Sequence, residues 1–226
     1  MPTIEQLQKY PIFEAVPEDD MMRLAPHIHK RAFAKGVYLF FPGSSCTNTY
    51  LVVSGLVRLF FTNANGDEFL LNLLRTGKVF GLPVLMEGEM RLMGAAAYED
   101  SVVFSIPSAL LVENLPSMPQ LAVNLYREVS ISARALLIHT CALVTLPLNA
   151  RLAFLILRLS QMWQTGDCIE MPVRQAELAG WLGASRGRLN RAIRELQKSN
   201  MIRLEEDQRI LILDRAGLER LATTGT

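Results

Sequence analysis

Cysteine is scarce in this chain. The 226 residues include only Cys46, Cys141 and Cys168, an odd number at wide spacings, whereas a disulfide framework uses even sets of cysteines in short chains. Uninterrupted apolar runs are short as well: 50% of the residues are hydrophobic, yet no run approaches the ~20 residues that a membrane span needs. The opening MPTIEQLQKY lacks the basic and apolar regions of a secretory signal. We therefore expect a soluble cytoplasmic protein with no membrane partner.

Signatures of catalysis are also missing. There are only three histidines, and the sequence contains no HExxH motif, no phosphate-binding glycine loop and no grouped nucleophile, base and carboxylate. The formal net charge is +1, so charge acts through the placement of the basic residues rather than through their total. These absences predict a binding protein rather than an enzyme.

The most informative stretch that is present covers residues 174–214. Four apolar residues at helical spacing predict one buried stripe on a helix over residues 185–198. They are Leu189, Ala192, Ile193 and Leu196, and a shorter stripe before them consists of Leu178, Ala179 and Leu182. Gly183 fits a left-handed helix stop, and Ser185 fits the N-cap of the second helix. The pattern predicts two short helices joined by a tight turn.

Basic residues gather on the second of these helices. Residues 185–199 hold five Arg or Lys against one Glu, a local charge of +4 in a chain of net charge +1. Two strands are predicted next, over residues 201–204 and 209–213. Two helices, a tight turn and a two-stranded wing suit the insertion of the second helix into the major groove of DNA. The alternative is a merely solvated helix face, which the turn, the cap and the wing disfavour.

Short strands with glycine turns fill the first half of the chain. Runs rich in branched and aromatic residues occur at residues 37–41, 49–55, 56–61 and 69–74. Turn-forming pairs separate them: Lys35-Gly36, Pro42-Gly43, Ser54-Gly55, Asn65-Gly66, Thr76-Gly77 and Glu87-Gly88. This rhythm predicts a compact antiparallel roll or barrel between about residues 31 and 106. Residues 63–67 form the clearest hairpin turn.

A long helix is predicted over residues 119–145, between the helix-starting Pro119 and the helix-ending Pro147. At 1.5 Å per residue it would span on the order of 40 Å. Six residues step by four and three along it, the spacing of a coiled-coil seam. They are Leu125, Val129, Ser132, Leu136, His139 and Leu143. Because further apolar residues lie outside this seam, we favour homodimerisation over a helix packed only on its own domain.

Shorter helical segments complete the prediction. Asn149 is expected to cap a helix over residues 150–165, and residues 216–222 are expected to add a last helical turn or two. A helical lead with Ile4, Leu7 and Phe13 precedes the roll. The predicted fold class is α+β: an N-terminal antiparallel β-roll of the jelly-roll type, a long dimerisation helix and a C-terminal winged helix-turn-helix. The expected domains are residues 1–116, 117–146 and 147–226.

This order of parts resembles the cyclic-AMP receptor protein/FNR superfamily of bacterial transcription regulators. The resemblance covers nearly the whole chain. It rests on residues 175–196 and on four glycine motifs of the roll, Lys35-Gly36, Gly55-Leu56-Val57, Gly66-Asp67-Glu68 and Gly77-Lys78-Val79-Phe80-Gly81. It implies a roll like that of cyclic-nucleotide-binding domains, a homodimer, and a double-stranded DNA operator with two-fold symmetry and half-sites ~34 Å apart. It also implies RNA polymerase as a partner.

The resemblance assigns DNA contacts residue by residue. The family's recognition helix usually reads Ser-Arg-Glu-Thr-Val-Ser-Arg, and residues 185–191 here read Ser-Arg-Gly-Arg-Leu-Asn-Arg. Arg186 and Arg191 match the positions that reach guanine edges, where a guanidinium donates twice to O6 and N7. Gly187 replaces the usual Glu, so we expect an operator that departs from the familiar half-sites, with Asn190 as a candidate adenine contact. Phosphate contacts are expected from Arg174, Gln175, Ser185 and Arg188.

The candidate effector pocket departs from that of cyclic-AMP-binding relatives. They carry Gly-Glu and Arg-Ser where this chain has Gly81-Leu82 and Arg91-Leu92, so that only Arg91 remains to meet a phosphate; it is equally well explained as an ordinary surface charge. Leu136 and Leu137 stand where hydroxyl-bearing residues face the base. Each unpaired polar group of a nucleotide would cost ~1–3 kcal/mol. We therefore expect an unknown small-molecule effector, or none, rather than cyclic AMP.

Two cofactors of the superfamily can be weighed from the residues. An iron–sulfur cluster needs about four cysteine thiolates, and only Cys46 falls in the roll, so a cluster is not expected. Haem needs one or two axial ligands, for which His27, His29 and His139 are the candidates. A haem-based gas or redox sensor is thus one alternative, and a ligand-independent DNA-binding protein is another. No cofactor is required by the sequence, and an effector would act on the hinge near residues 146–149.

Overall fold

The computed structural model describes residues 1–82, 90–163, 167–170, 175–205 and 209–225. The chain divides into two compact units, Met1–Arg134 and Ala135–Thr226. Their boundary lies inside the long helix α4 (Pro119–Thr145), whereas the sequence suggested a separate segment for this helix.

The first unit contains two four-stranded antiparallel sheets. Its strands are β1 (His29–Phe33), β2 (Tyr38–Phe40), β3 (Asn48–Ser54), β4 (Val57–Thr62), β5 (Glu68–Leu74), β6 (Val79–Phe80), β7 (Gly94–Ala97) and β8 (Ser101–Pro107). One sheet has the order β1-β8-β3-β6 and the other the order β2-β7-β4-β5. The predicted antiparallel roll is confirmed.

Glycine turns connect these strands as the sequence suggested. Gly66 has φ +86° in the β4–β5 hairpin, where the side-chain oxygen of Asn63 accepts the main-chain N–H groups of Asn65 and Asp67 at 2.9 Å. Gly55 has φ +85°, and a Cβ there would lie 2.5 Å from the carbonyl oxygen of Asp100. These two positions therefore tolerate no other residue without strain.

Helices pack against the strands of the roll. They are α1 (Ile4–Leu7), α2 (Glu18–Leu24), α3 (Ser108–Asn114) and the first half of α4. The apolar residues of α1 and α2 pack with those of β3, β8 and α4 in one buried core. Neither α2 nor α3 was predicted from the sequence, although the acidic first turn of α2, Glu18-Asp19-Asp20, is a usual helix-start signal.

The second unit carries the helix-turn-helix. Its elements are α5 (Leu148–Trp163), β9 (Cys168–Glu170), α6 (Gln175–Trp181), α7 (Arg186–Lys198), β10 (Ile202–Leu204), β11 (Arg209–Ile212) and α8 (Arg215–Thr224). The strands form one antiparallel sheet of order β10-β11-β9. The predicted recognition helix and wing strands are confirmed, and α8 is longer than expected.

One prediction for this unit was wrong, and one strand was missed. Asn149 does not cap α5, because the helix begins at Leu148 and the carbonyl of Pro147 already accepts the N–H of Arg151 at 3.0 Å, the bond that defines a cap residue. Strand β9 was not predicted, since three residues carry too little pattern. The expected stop at Gly166 lies outside the described residues.

The ends of α4 agree with the prediction, but its burial changes along its length. Near its start, Leu121 and Leu125 are buried in the roll core, so Leu125, which was predicted for the seam, already packs within its own unit. From residue 129 to residue 138 nearly every side chain is exposed. In the described part of the chain α4 is the one helix long and apolar enough to cross a membrane, which alone is weak support for a span.

Candidate nucleic-acid interface

The recognition helix α7 is fixed by one apolar stripe. Its four buried residues, all 5% exposed or less, are Leu189, Ala192, Ile193 and Leu196, as the periodicity predicted. The hydroxyl of Ser185 accepts the main-chain N–H of Arg188 at 3.4 Å and caps the helix. The cap satisfies one of the orphan donors of the first turn, so the helix begins at a defined residue.

The opposite face of α7 is open and basic. At 100° per residue, Gly187, Arg191, Arg194 and Lys198 lie diametrically opposite the buried stripe, and all four are exposed. Arg186 and Arg188 flank this face and are exposed too, while Asn190 is half-buried. The arginines of α7 make no side-chain hydrogen bond or ion pair within the described ranges, so their donors are free for another molecule.

The turn between α6 and α7 is tied to the end of α4. Arg151 donates from Nε to the carbonyl of Leu146 at 2.8 Å and from Nη1 to the carbonyl of Leu182 at 2.9 Å. Gly183 follows with φ +63°, as predicted for a helix stop. One guanidinium thus satisfies carbonyls at the ends of two helices of this unit, where a cation is favoured.

The remaining predicted DNA contacts lie around this helix pair. Gln175 is the exposed first residue of α6, whereas Arg174 lies outside the described residues. The wing carries Arg203, whose Nε donates to Glu205 at 2.9 Å, while its tip residues 206–208 also fall outside the described ranges. The N-terminal ends of α6 and α7 carry the described residues of this set, Gln175, Ser185, Arg186, Gly187 and Arg188.

In the roll, Arg91 is not the surface charge that the sequence allowed. It is 6% exposed, its guanidinium lies 3.8 Å from the ring centre of Phe40, and its Nη2 donates to the carbonyl of Asn48 at 2.6 Å. A Cβ at Gly81 would lie 2.9 Å from its Nη1, so Gly81 admits the guanidinium. Burial lowers the pKa of Arg91, whereas nearby Cys46 and Tyr50 favour the charged form.

Aromatic rings fill the interior beside this arginine. Tyr50 stacks on Phe40 and on Phe80, with ring centres 5.6 Å and 5.3 Å apart. Leu82 packs against the roll core, and Leu92 is exposed. Of the predicted pocket residues in this unit, Gly81 and Arg91 are thus brought together, whereas Leu82 and Leu92 are not part of that contact.

Two further leucines of the predicted pocket, Leu136 and Leu137, belong to the second unit. They are 60% and 66% exposed on α4. Val129, Ile131 and Ile138 are exposed on the same stretch of helix. Within the described residues nothing covers them, although large apolar side chains are each worth about 1.5–3 kcal/mol when buried.

The three candidate ligand histidines differ in their exposure. His27 and His29 are exposed at the entrance to β1, and the described residues contain no group of three metal-binding side chains. His139 is half-buried, with its ring 6.4 Å from that of Trp181. Burial lowers the pKa of His139, Arg158 lowers it further, and a hydrogen bond to the main chain of Trp181 acts in the opposite sense.

Family models match both units. Residues 30–114 match the model of the cyclic nucleotide-binding domain, and residues 150–221 match that of the Crp-like helix-turn-helix domain. The first match spans the roll and the second spans α5 to α8. The chain belongs to the CRP/FNR family. It is a DNA-binding transcription regulator with a cyclic nucleotide-binding domain, and members of this family are transcription regulators, not enzymes.

Individual relatives agree with the family assignment along most of the chain. The Cyclic AMP receptor protein of Thermus thermophilus is 28% identical over 86% of this chain and 88% of its own length. The Global nitrogen regulator of Synechococcus elongatus is 27% identical over 83% of this chain and 87% of its own. The structure of FixK2 from Bradyrhizobium japonicum superposes with a TM-score of 0.77 over 86% of this chain and 96% of its own. At 20% identity, this last likeness supports the CRP/FNR fold alone.

Proposed function

We propose that this CRP/FNR protein is a homodimeric, sequence-specific regulator whose roll does not respond to cyclic AMP. The observation that carries the DNA-binding part is the outward face of α7. It presents cationic side chains without partners in the described chain, on a capped helix whose other face is buried. Such a face fits the major groove of DNA, where phosphate oxygens and base edges offer acceptors for the guanidinium N–H groups.

The roles proposed for the interface residues are those that the family resemblance implies. Arg186 and Arg191 contact guanine edges, Asn190 contacts an adenine, and Gly187 lies over the base pair between them. Gln175, Ser185 and Arg188, near the helix N-termini, contact phosphates, and Arg174 joins them. Phosphate contacts fix the register of the helix, whereas base contacts specify the sequence.

A second copy of the chain covers the exposed stretch of α4. Several large apolar residues, Leu136 and Leu137 among them, lie in water on one helix, and a parallel pair of such helices would bury them at coiled-coil spacing. Two recognition helices then face successive turns of one DNA duplex, ~34 Å apart. RNA polymerase is the further partner that membership of the family suggests.

Cyclic AMP fits the roll poorly. Arg91, the residue left to meet a phosphate, already donates from Nη2 to the carbonyl of Asn48 and lies against the face of Phe40. The stacked rings of Phe40, Tyr50 and Phe80 occupy the interior beside it. The same packing favours a second candidate function, a DNA-binding dimer whose roll needs no effector at all.

The dimer is tested by changing Leu136 to Glu. Light scattering coupled to size exclusion should give twice the mass of one chain for the wild type and the mass of one chain for Leu136→Glu, whose operator affinity should fall at least about tenfold. The matched control is Leu92→Glu, which places the same charge on another exposed leucine, in the roll. A wild-type monomer, or a dimeric Leu136→Glu, contradicts the proposed dimer.

The effector is tested on the purified protein in two steps. A visible spectrum without a Soret band and an unchanged melting temperature in millimolar cyclic AMP are expected. A Soret band would establish haem, and a shift of several degrees would establish a cyclic-AMP site; either contradicts the proposal. An operator footprint that is the same with and without cell metabolites would favour the ligand-independent candidate over an unknown effector.

A further inference from the structure

Gly187 is a glycine that the fold does not require. It lies in the first turn of α7, between Arg186 and Arg188. Its φ is outside the left-handed region, and a Cβ built there meets no heavy atom within 4 Å. By contrast, Gly183 has φ +63°, and Gly217 would place a Cβ 2.2 Å from the carboxylate of Asp214. Alanine, or a longer side chain, would therefore fit at position 187.

The glycine also weakens the helix that carries it. Glycine is a poorer helix former than alanine because it loses more backbone freedom on folding. No contact of the described chain offsets this loss at Gly187, so neither packing nor backbone geometry explains the residue.

Because Gly187 has no side chain, it leaves a gap on the surface of α7. It lies at the centre of the outward face of α7, and Arg191 is one turn further along the same face. Long side chains at Arg186 and Arg188 stand on either side of it. The result is a gap about one side chain wide at the end of the helix that enters the groove first, between the residues proposed to contact bases.

We infer that this gap accepts the C5-methyl group of a thymine in each half-site. The inference rests on the proposed DNA-binding function. A position without a side chain offers no donor or acceptor beyond the main chain; what it offers is an apolar Cα and space. The methyl of thymine is the apolar group that projects from a base edge into the major groove. Gly187 is thus a specificity-determining residue that selects a thymine by close approach of the helix backbone.

The test starts from the operator that the wild-type protein selects from a random DNA library. Each thymine of one half-site is then replaced in turn by deoxyuridine, which removes the methyl group and nothing else. One replacement should weaken wild-type binding about fourfold, the worth of one buried methyl group, and the others should have smaller effects. Gly187→Ala, which fills the gap, should bind the thymine operator several times more weakly and lose the sensitivity to deoxyuridine at that position.

Gly187→Glu supplies the opposite specificity. Its carboxylate can accept from the amine of cytosine, so its selected operator should carry cytosine where the wild type has thymine. Both variants should melt no lower than the wild type, because the position is open, which separates a loss of binding from a loss of fold. Equal deoxyuridine sensitivity in wild type and Gly187→Ala, or no sensitive thymine at all, overturns the inference while leaving DNA binding intact. A library that yields no operator overturns the proposed function itself, and the inference with it.

Discussion

Arginine occupies two contrasting environments in this protein. Arg91 in the roll is almost fully buried, stacked on Phe40 and bonded to the carbonyl of Asn48. The arginines of α7, including Arg186 and Arg191, are exposed and have no acceptor in the described chain. Both sites are candidates for a phosphate or a base when only residue types are compared. Burial and partners separate them: Arg91 is buried and bonded within the roll, whereas the arginines of α7 are exposed and have no acceptor in the described chain.

The greatest change is expected in operator affinity, when the arginines of α7 are removed. The double substitution Arg186→Ala/Arg191→Ala should weaken binding to the selected operator about a hundredfold or more, since each bidentate base contact is worth ~1–3 kcal/mol. Titration of labelled operator measures the loss, and the melting temperature should stay unchanged because exposed substitutions shift stability by ~0.5 kcal/mol or less. The control of equal charge is Lys30→Ala/Arg31→Ala, which removes two exposed positive charges from β1. Equal losses on operator and random DNA would refute the base-contact roles.

The next largest change is expected in the free energy of unfolding, when Arg91 of the roll is replaced. Arg91→Met keeps the apolar stem but removes the donor to the partly buried carbonyl of Asn48, which should lower the free energy of unfolding by ~1–3 kcal/mol. Denaturant titration measures it, with Arg31→Met as the exposed control. Operator affinity should change less than about twofold. A variant that is fully stable but blind to an effector would show that Arg91 belongs to a ligand site instead.

A smaller change in affinity is expected at Arg188, and it tests whether this residue of α7 contacts a phosphate or a base. Arg188→Ala should weaken binding to operator and to random DNA alike, and should reduce the slope of log affinity against log salt by ~1 per chain. Affinities measured at several salt concentrations supply both numbers. If the loss appears on the operator alone, Arg188 reads a base and the assignment to phosphate is wrong.

The smallest effect concerns pH. Burial holds the pKa of His139 below its usual value, with Arg158 acting in the same direction. As pH falls through ~6.5 the unfolded chain binds its proton first, so the second unit should lose stability on acidification and regain it above that pH. Melting temperatures between pH 7.5 and 5.5 measure this, and His139→Gln should flatten the profile relative to the exposed control His29→Gln. An identical pH dependence in all three proteins would contradict the role of His139.

The sequence predicted the elements that have strong punctuation or periodicity. Pro119 and Pro147 mark the ends of α4, and Ser185 with four apolar residues defines α7. The predicted bounds of both helices therefore lie within one residue of the observed bounds. Strand β9 has three residues and no pattern, and α5 begins early because Pro147 takes the capping role that Asn149 was given. Leu125 has the spacing of the seam, yet it is buried in the roll core, because this face of α4 packs against its own unit.

The candidate site was predictable to the same extent. The outward residues of α7 follow from the helical period once its buried stripe is known. The burial of Arg91 does not follow from any local pattern, because it depends on Phe40, Asn48 and Gly81, which lie far away in the sequence. The open surroundings of Gly187 are likewise a property of the folded chain alone.

We propose that the exposed arginines of two paired α7 helices read one symmetric operator. Selection from a random DNA library with the purified full-length protein tests it most directly. The enriched DNA should be an inverted repeat whose half-site centres lie one helical turn apart, ~34 Å along the duplex. No enrichment over random DNA, or a motif without two-fold symmetry, would contradict it.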